Sequence, residues 1–234
     1  QSSTLYALWV NRIVIGAGSN ITNSYGFAES STAFTATGGL GTHTFRLSPD
    51  RSADGITIDS QTGIVYVSAT TPVGTYSSYV ITEDQAGITD SKTISITVNT
   101  ALTISDSKTL TTTVGRGLSS SAFTFAGGTG SKTFSISPTS AYVSISSGGI
   151  VSVDTSAAAM HQVFTVKVTD STGAYATSSI DVTVNGAAII TGPTTVNSTT
   201  GFAFTSQVYT TSGGTGSITL VDSTNPPYSG ITLV

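Results

Sequence analysis

Three nearly identical glycine-rich pentapeptides constrain this chain more than any other feature: GGLGT at 38–42, and GGTGS at 127–131 and again at 213–217. Closely spaced glycines let backbone N–H groups approach an anion, so a phosphate-binding loop is the first function such a run suggests. That function needs a helix start or a Lys-Ser pair behind the glycines, and neither follows. Instead THTFRLS at 42–48 and SKTFSIS at 131–137 alternate apolar and polar residues, the two-residue period of a β-strand. The pentapeptide therefore reads as a turn entering a strand, where glycine supplies positive backbone dihedrals.

The pentapeptides belong to a longer period. Val-Asn pairs end at Asn11, Asn99 and Asn185, and each asparagine precedes the second glycine of the next pentapeptide by 28, 29 and 29 residues. Gly63-Ile64-Val65 and Gly149-Ile150-Val151 recur at a separation of 86, as do Asp84 and Asp170. Such constancy marks tandem repeats. The pentapeptides are spaced by 89 and then 86 residues, which places three extra residues in the loop around Pro49 of the first repeat.

Inside each repeat the pattern is strand after strand. TISITVN at 93–99 puts Ile94, Ile96 and Val98 on one face; IDVTVN at 180–185 does the same with Ile180, Val182 and Val184, and FTVKVTD at 164–170 with Phe164, Val166 and Val168. Alternation with one wet face means sheets packed over a core. TSAAAMHQ at 155–162 supports a helical turn at most. Repeats of 86–89 residues with about seven short strands predict an all-β fold of tandem immunoglobulin-like β-sandwiches.

The residues that follow the first pentapeptide, GITIDSQTGIVYVSATTPVGTY at 55–76, a DxxG turn and the closing TISITVN, resemble bacterial immunoglobulin-like repeats related to dystroglycan-type cadherin-like domains. The resemblance covers the first two repeats, is weaker at SISSGGIVSV (144–153), where the Asp59 equivalent is missing, and continues into a third. It implies a cell-surface setting, in stalks, adhesins, appendages or accessory modules of secreted enzymes.

The boundaries predicted are 1–11, the closing strand of a split or neighbouring sandwich; 12–99, repeat 1; 100–185, repeat 2; and 186–234, an incomplete repeat 3. QSSTLYALWVN at 1–11 aligns with the strands ending at Asn99 and Asn185, while SGITLV at the other end matches DGITID of repeat 1. About 29 residues of a whole sandwich fall between these two partial pieces. An unfinished sandwich leaves an apolar face and open sheet edges, which proteins cover or pair. The first strand carries Tyr6, Leu8 and Val10 in the inward register and Leu5, Ala7 and Trp9 in the outward one, so both its faces expect burial. Two readings follow: a terminal strand with a sticky outer patch, or a donor strand entering the incomplete repeat of the next subunit, with Leu5, Tyr6, Leu8, Trp9 and Val10 as assembly residues.

Composition narrows the partners. Eight Lys and Arg against twelve Asp and Glu give a net charge of −4, which leaves no basic stripe for nucleic acid. Serine and threonine supply 81 of 234 residues, so hydroxyls rather than charges keep the surface wet, as on many secreted proteins. No apolar run is long enough to span a bilayer as a helix, and no cysteine is present. The localisation expected is extracellular or cell surface.

Candidate chemistry is sparse. His43 and His161 occupy non-equivalent repeat positions with no neighbouring acid or nucleophile in sequence, and no GxSxG elbow occurs, so no catalytic residue is assigned. Asp84 and Asp170, each just before a hairpin glycine, are the calcium candidates by analogy with cadherin-like domains; the competing reading, an Asx turn, is favoured because no DxDxDG run is present. No other cofactor is expected. Lys92, Lys108, Lys132 and Lys167 do not recur between repeats, which argues for solvated charges rather than isopeptide donors. Asn20 and Asn197 open glycosylation sequons. Phe34, Phe45, Phe123, Phe125, Phe134 and Phe202 are assigned to cores, leaving Trp9, Tyr6 and Tyr228 as candidates for stacking on sugars.

Short links between repeats, NTAL at 99–102 and NGAA at 185–188, predict abutting sandwiches in a stiff array. The function expected is a non-enzymatic structural subunit of an extracellular filament or surface layer, self-associating head to tail. The alternative is a stalk or glycan-binding segment of an adhesin, binding a host surface or glycan, or a noncatalytic module of a secreted hydrolase.

Overall fold

The computed structural model describes residues 11–195, 197 and 199–221. Residues 1–10 lie outside it, so the donor-strand reading of Leu5, Tyr6, Leu8, Trp9 and Val10 falls on undescribed residues, as does Tyr228. The described residues fall into two compact units, one drawn from residues 11–105, Thr124–Thr133 and Lys167–Thr177, the other from Asp106–Phe123, Phe134–Val166 and the described residues between 178 and 221.

The chain is built almost wholly of strands. The first nine are β1 (Val14–Ala17), β2 (Ile21–Ser24), β3 (Glu29–Ser30), β4 (Phe34–Thr37), β5 (Thr44–Ser48), β6 (Ile56–Ile58), β7 (Val65–Val67), β8 (Gly74–Glu83) and β9 (Thr89–Asn99). They form a four-stranded sheet in the order β2-β9-β8-β5 and a three-stranded sheet in the order β3-β7-β6, with β1 paired to β4. β8 and β9 share one sheet with β5, the strand after the pentapeptide, and with β2, while β3, β6 and β7 form the other, which is the partition of an immunoglobulin-like sandwich. β2 runs parallel to β9, with Ile21 opposite Ile96 and Ser24 opposite Asn99, so the start of the sandwich is stitched to its end.

β8 and β9 form the longest hairpin of this group, from the pair Glu83 and Thr89 down to Gly74 and Val98. Its alternation puts Val80, Ile94, Ile96 and Val98 inward, where they meet Ile21, Phe34, Phe45, Leu47, Ile56, Val65 and Val67 in one buried cluster. Each such side chain contributes about 1.5–3 kcal/mol when removed from water, and this cluster is what holds the two sheets face to face.

The pattern recurs in β10 (Thr103–Ile104), β11 (Lys108–Thr113), β12 (Leu118–Ser119), β13 (Phe125–Ala126), β14 (Lys132–Ser137), β15 (Val143–Ile145), β16 (Val151–Val153), β17 (Met160–Asp170) and β18 (Tyr175–Asn185). The sheet orders are β11-β18-β17-β14 and β12-β16-β15, with β10 paired to β13. Phe164, Val166, Val168, Ile180, Val182 and Val184 are all buried, on the faces their alternation assigns. Residues 155–162 form a turn and the start of β17, with no helix. The missing Asp59 equivalent is replaced functionally by Ser146: Asp59 receives the amides of Gln61 and Thr62, whereas Ser146 Oγ receives that of Ile150. After Pro49, the loop of the first repeat holds a short 3-10 turn, Ser52–Asp54, that the second repeat lacks.

The last two described strands, β19 (Ile189–Thr191) and β20 (Thr210–Ser212), pair antiparallel. They repeat the β1–β4 and β10–β13 ladders, each of which ends at the residue before a pentapeptide: Val14 opposite Thr37, Thr103 opposite Ala126, Ile189 opposite Ser212. One assignment from sequence is corrected. Phe34, Phe45 and Phe123 are core, but Phe202 and Phe125 are exposed. Phe202 follows the turn glycine Gly201 as Phe27 follows Gly26, so it belongs to a turn rather than to the inward face of a strand.

Replacing Ile96, at the centre of the cluster, with alanine is expected to lower unfolding stability by about 2–5 kcal/mol, and Thr97→Ala on the opposite face by less than about 0.5 kcal/mol, measured by denaturant titration.

Candidate functional site

The recurrent pentapeptide is held the same way in each copy. The N–H of its second glycine donates to the chain entering the repeat: Gly39 to the carbonyl of Asn11 at 2.7 Å, Gly128 to Thr100 at 2.9 Å, Gly214 to Gly186 at 2.8 Å. A β-carbon on the first glycine would collide with the carbonyl oxygen of Arg12, Ala101 or Ala187, and its φ is positive in all three copies, so only glycine fits.

The residue after the two glycines donates its N–H to a carboxylate. Leu40 N lies 2.9 Å from Asp84 Oδ2, and Thr129 N lies 2.8 Å from Asp170 Oδ2. The glycine loop does bind an anion, but the anion is the protein's own aspartate. Each aspartate's other oxygen closes the hairpin it begins. Asp84 Oδ1 accepts from Ala86 at 2.9 Å and Ile88 at 2.8 Å; Asp170 Oδ1 accepts from Thr172 at 2.9 Å and Ala174 at 3.0 Å. This is the Asx turn of the sequence reading with a second arm that reaches the pentapeptide. Both oxygens are engaged by protein donors, and among the described residues no three His, Cys, Asp or Glu side chains group to hold a metal ion.

The electrostatics follow from these donors. Amides of Ile88 and Leu40 hold the Asp84 carboxyl below its ordinary range, with smaller help from Ala86 and His43. For Asp170 burial is the largest influence and pushes the carboxyl up; the Ser24 hydroxyl, the Thr129 amide and Thr172 together outweigh it, and the net shift is downward.

Around Asp170 the site extends to the preceding repeat, within the first compact unit. Ser24 at the end of β2 donates its hydroxyl to Asp170 Oδ2 at 2.6 Å and shares a hydrogen bond of 2.8 Å with Thr129 Oγ1. Asn99, the last residue of β9, donates Nδ2 to the same Thr129 oxygen at 2.9 Å. Phe27 meets the Tyr175 ring edge-on, with centroids 5.6 Å apart. Within the second unit the arrangement recurs: Asn185 Nδ2 lies 3.0 Å and Thr113 Oγ1 2.7 Å from Thr215 Oγ1. The asparagine ending one repeat and a hydroxyl beside it thus clasp the pentapeptide threonine of the next.

The sequence reading singled out Asp84, Asp170 and the asparagine spacing but not Ser24, Thr113, Thr129 or Thr215. The signal was the fixed separation of Asn99 from Thr129 and of Asn185 from Thr215. His43, half-buried, is turned to the carbonyl of Gly38 at 2.9 Å, and the exposed His161 pairs with Asp181 on the neighbouring strand at 2.8 Å. Asn20 accepts the Ser95 amide through Oδ1 at 2.9 Å and is exposed, as is Asn197. Elsewhere in the first sandwich, a shallow groove of about 530 Å³ runs beside Tyr66, Glu29, Ser30 and Thr57.

No protein-family model matches the sequence, and no curated protein matches it. Solved structures that resemble the chain include mouse cadherin-23 EC22-24 (16% identity, TM-score 0.34, 76% of this chain and 65% of that one). The I-band fragment I67-I69 of titin follows at 12% identity, TM-score 0.44, 78% and 68%. A C-terminal 282-residue fragment of intimin, in complex with the intimin-binding domain of its translocated receptor, stands at 17% identity, TM-score 0.42, 79% and 67%. The chain thus spans about two thirds of the length of these fragments. The similarity is distant, and the sandwich topology described above carries the fold assignment.

Because both aspartates have lowered folded-state pKa values, the stability they contribute is present above the unfolded carboxyl pKa of about 3.9 and is lost as pH falls through the folded value. Thermal melts should therefore hold from neutral pH to about pH 5 and decline below about pH 4, with Asp170→Asn showing a shallower acid decline. Gly128→Ala, which brings a β-carbon to 3.1 Å from Asp170 Oδ2 at a φ of +72°, is expected to cost more than about 1 kcal/mol in the same assay.

Proposed function

We propose that this chain is a non-enzymatic structural subunit of an extracellular filament or surface layer, made of immunoglobulin-like repeats at 12–99, 100–185 and 186–234, with copies joined head to tail. The observation that carries the reading is the clasp at the repeat boundaries, Asn99 and Ser24 on Thr129 and Asn185 and Thr113 on Thr215. A boundary made of short hydrogen bonds among hydroxyls, amides and the Asp170 carboxylate, with almost no linker, suits a load-bearing string of domains. The hydroxyl-rich, weakly charged composition supports an extracellular setting and offers little self-repulsion to association. The likeness to dystroglycan-type cadherin-like repeats belongs to this reading and rests on the motifs at 38–99.

Strand donation by residues 1–11 is the joining route in this reading. Its support is the two-faced apolar register of that strand, together with exposed Ile189, Ile190, Phe204, Val208 and Val221 in the third repeat. A second reading, a stalk or glycan-binding segment of a cell-surface adhesin or a noncatalytic module of a secreted hydrolase, is favoured by the groove beside Tyr66, where an aromatic ring stands among Glu29, Ser30 and Thr57.

Negative-stain microscopy of the purified chain is expected to show long regular polymers; a uniform monomer population would favour the stalk. Removal of residues 1–11 should give soluble unassembled subunits, and polymers persisting in that variant would refute strand donation.

A further inference from the structure

The turn that closes β2 is written three times. Residues 24–27, 113–116 and 199–202 each begin with a hydroxyl residue, carry glycine third at positive φ, and close with an amide from the fourth residue to the carbonyl of the first, at 3.2, 2.9 and 3.1 Å. The first two copies are engaged: Ser24 and Thr113 bond the pentapeptide threonine of the following repeat, and Phe27 packs on Tyr175. In the third copy Phe202, in the place of the half-buried Phe27, is 76% exposed.

The matching surface of the first repeat is uncovered too. Leu40 stands where Thr129 stands in the second pentapeptide, and Ile88 where Ala174 stands in the hairpin. Thr129 and Ala174 are 7% and 0% exposed; Leu40 and Ile88 are 40% and 55% exposed. Both positions also carry a larger apolar side chain than their counterparts, and the tail turn carries Phe202 where the second repeat has Arg116. The two uncovered surfaces are therefore both apolar, and Phe202 stands where Phe27 stands when it meets Tyr175 at the first internal boundary.

We propose that the turn 199–202 of one chain docks on Leu40 and Ile88 of a second copy, in the manner of the internal Ser24–Thr129 contact but with apolar contacts replacing much of the hydroxyl clasp. This rests on the head-to-tail reading above and names the surfaces that meet. Thr199 would approach Leu40 as Ser24 approaches Thr129, and Phe202 would lie over the Ile88 hairpin as Phe27 lies on Tyr175.

The chain has no cysteine, so a cross-link test is clean. Leu40→Cys and Thr199→Cys chains are mixed and oxidised with copper phenanthroline, and disulfide-linked dimers are quantified on a non-reducing gel. The mixture is expected to give roughly tenfold more dimer than either chain alone or than Leu40→Cys mixed with Tyr66→Cys, since a disulfide needs close Cα approach. A second variant, Phe202→Ser, exposed and hence tolerant of change, should weaken polymer formation by about tenfold in sedimentation. Polymers of the native chain with cross-linking no better than the Tyr66 control, or undiminished in Phe202→Ser, would overturn this interface while leaving assembly intact. A native chain that neither polymerises nor cross-links would overturn the head-to-tail reading and this interface with it.

Discussion

The carboxylate that begins each long hairpin and receives an amide of the glycine loop is the contact on which the rest depends. Asp84 and Asp170 tie two loops that are distant in sequence, 44 and 41 residues apart at the contact, through bonds to backbone amides, to which Asp170 adds the hydroxyls of Ser24 and Thr172. A nearly buried carboxylate is costly unless fully paired, and each of these is paired to three amides. That requirement fixes the geometry of both loops at once, and it explains why the pentapeptide cannot vary: side chains on its first two glycines would displace the entering strand or the aspartate itself.

With the loop fixed, its third residue becomes a handle. In the second and third copies it is threonine, and its hydroxyl meets the end of the previous repeat. Neutral hydroxyl and amide bonds of this kind contribute about 0.5–1.5 kcal/mol each, small singly but several at one boundary. Their value is register: they determine which residues of consecutive repeats meet, while the valine and isoleucine cores supply the bulk of the folding energy. In the first copy the handle is leucine, which changes the chemistry on offer without altering the loop, because Leu40 still donates its amide to Asp84 as Thr129 does to Asp170.

Much of the sandwich was legible because alternation is a local signal. Ile94, Ile96 and Val98, or Phe164, Val166 and Val168, announce their faces without reference to anything else in the chain. The aspartates were visible as recurring residues before a hairpin glycine, and the Asx turn was the right chemistry, but the second arm to the pentapeptide was hidden because it spans more than forty residues. Ser24 and Thr113 were invisible among 81 serines and threonines, since nothing local separates a hydroxyl that clasps a neighbour from one that faces water. Phe202 was misplaced for the complementary reason: an aromatic residue near a strand reads as core, and only alignment on the turn glycine, Gly26 with Gly201, shows that it caps a turn.

Coupling of one repeat to the next through the buried cluster of Ser24, Thr129 and Asp170 is tested most directly by a double-mutant cycle on unfolding stability with Ser24→Ala, Asp170→Asn and the pair. Coupling of about 0.5–3 kcal/mol between the two positions is predicted, because each change removes the same hydrogen bond. Effects that add to within about 0.3 kcal/mol would contradict it.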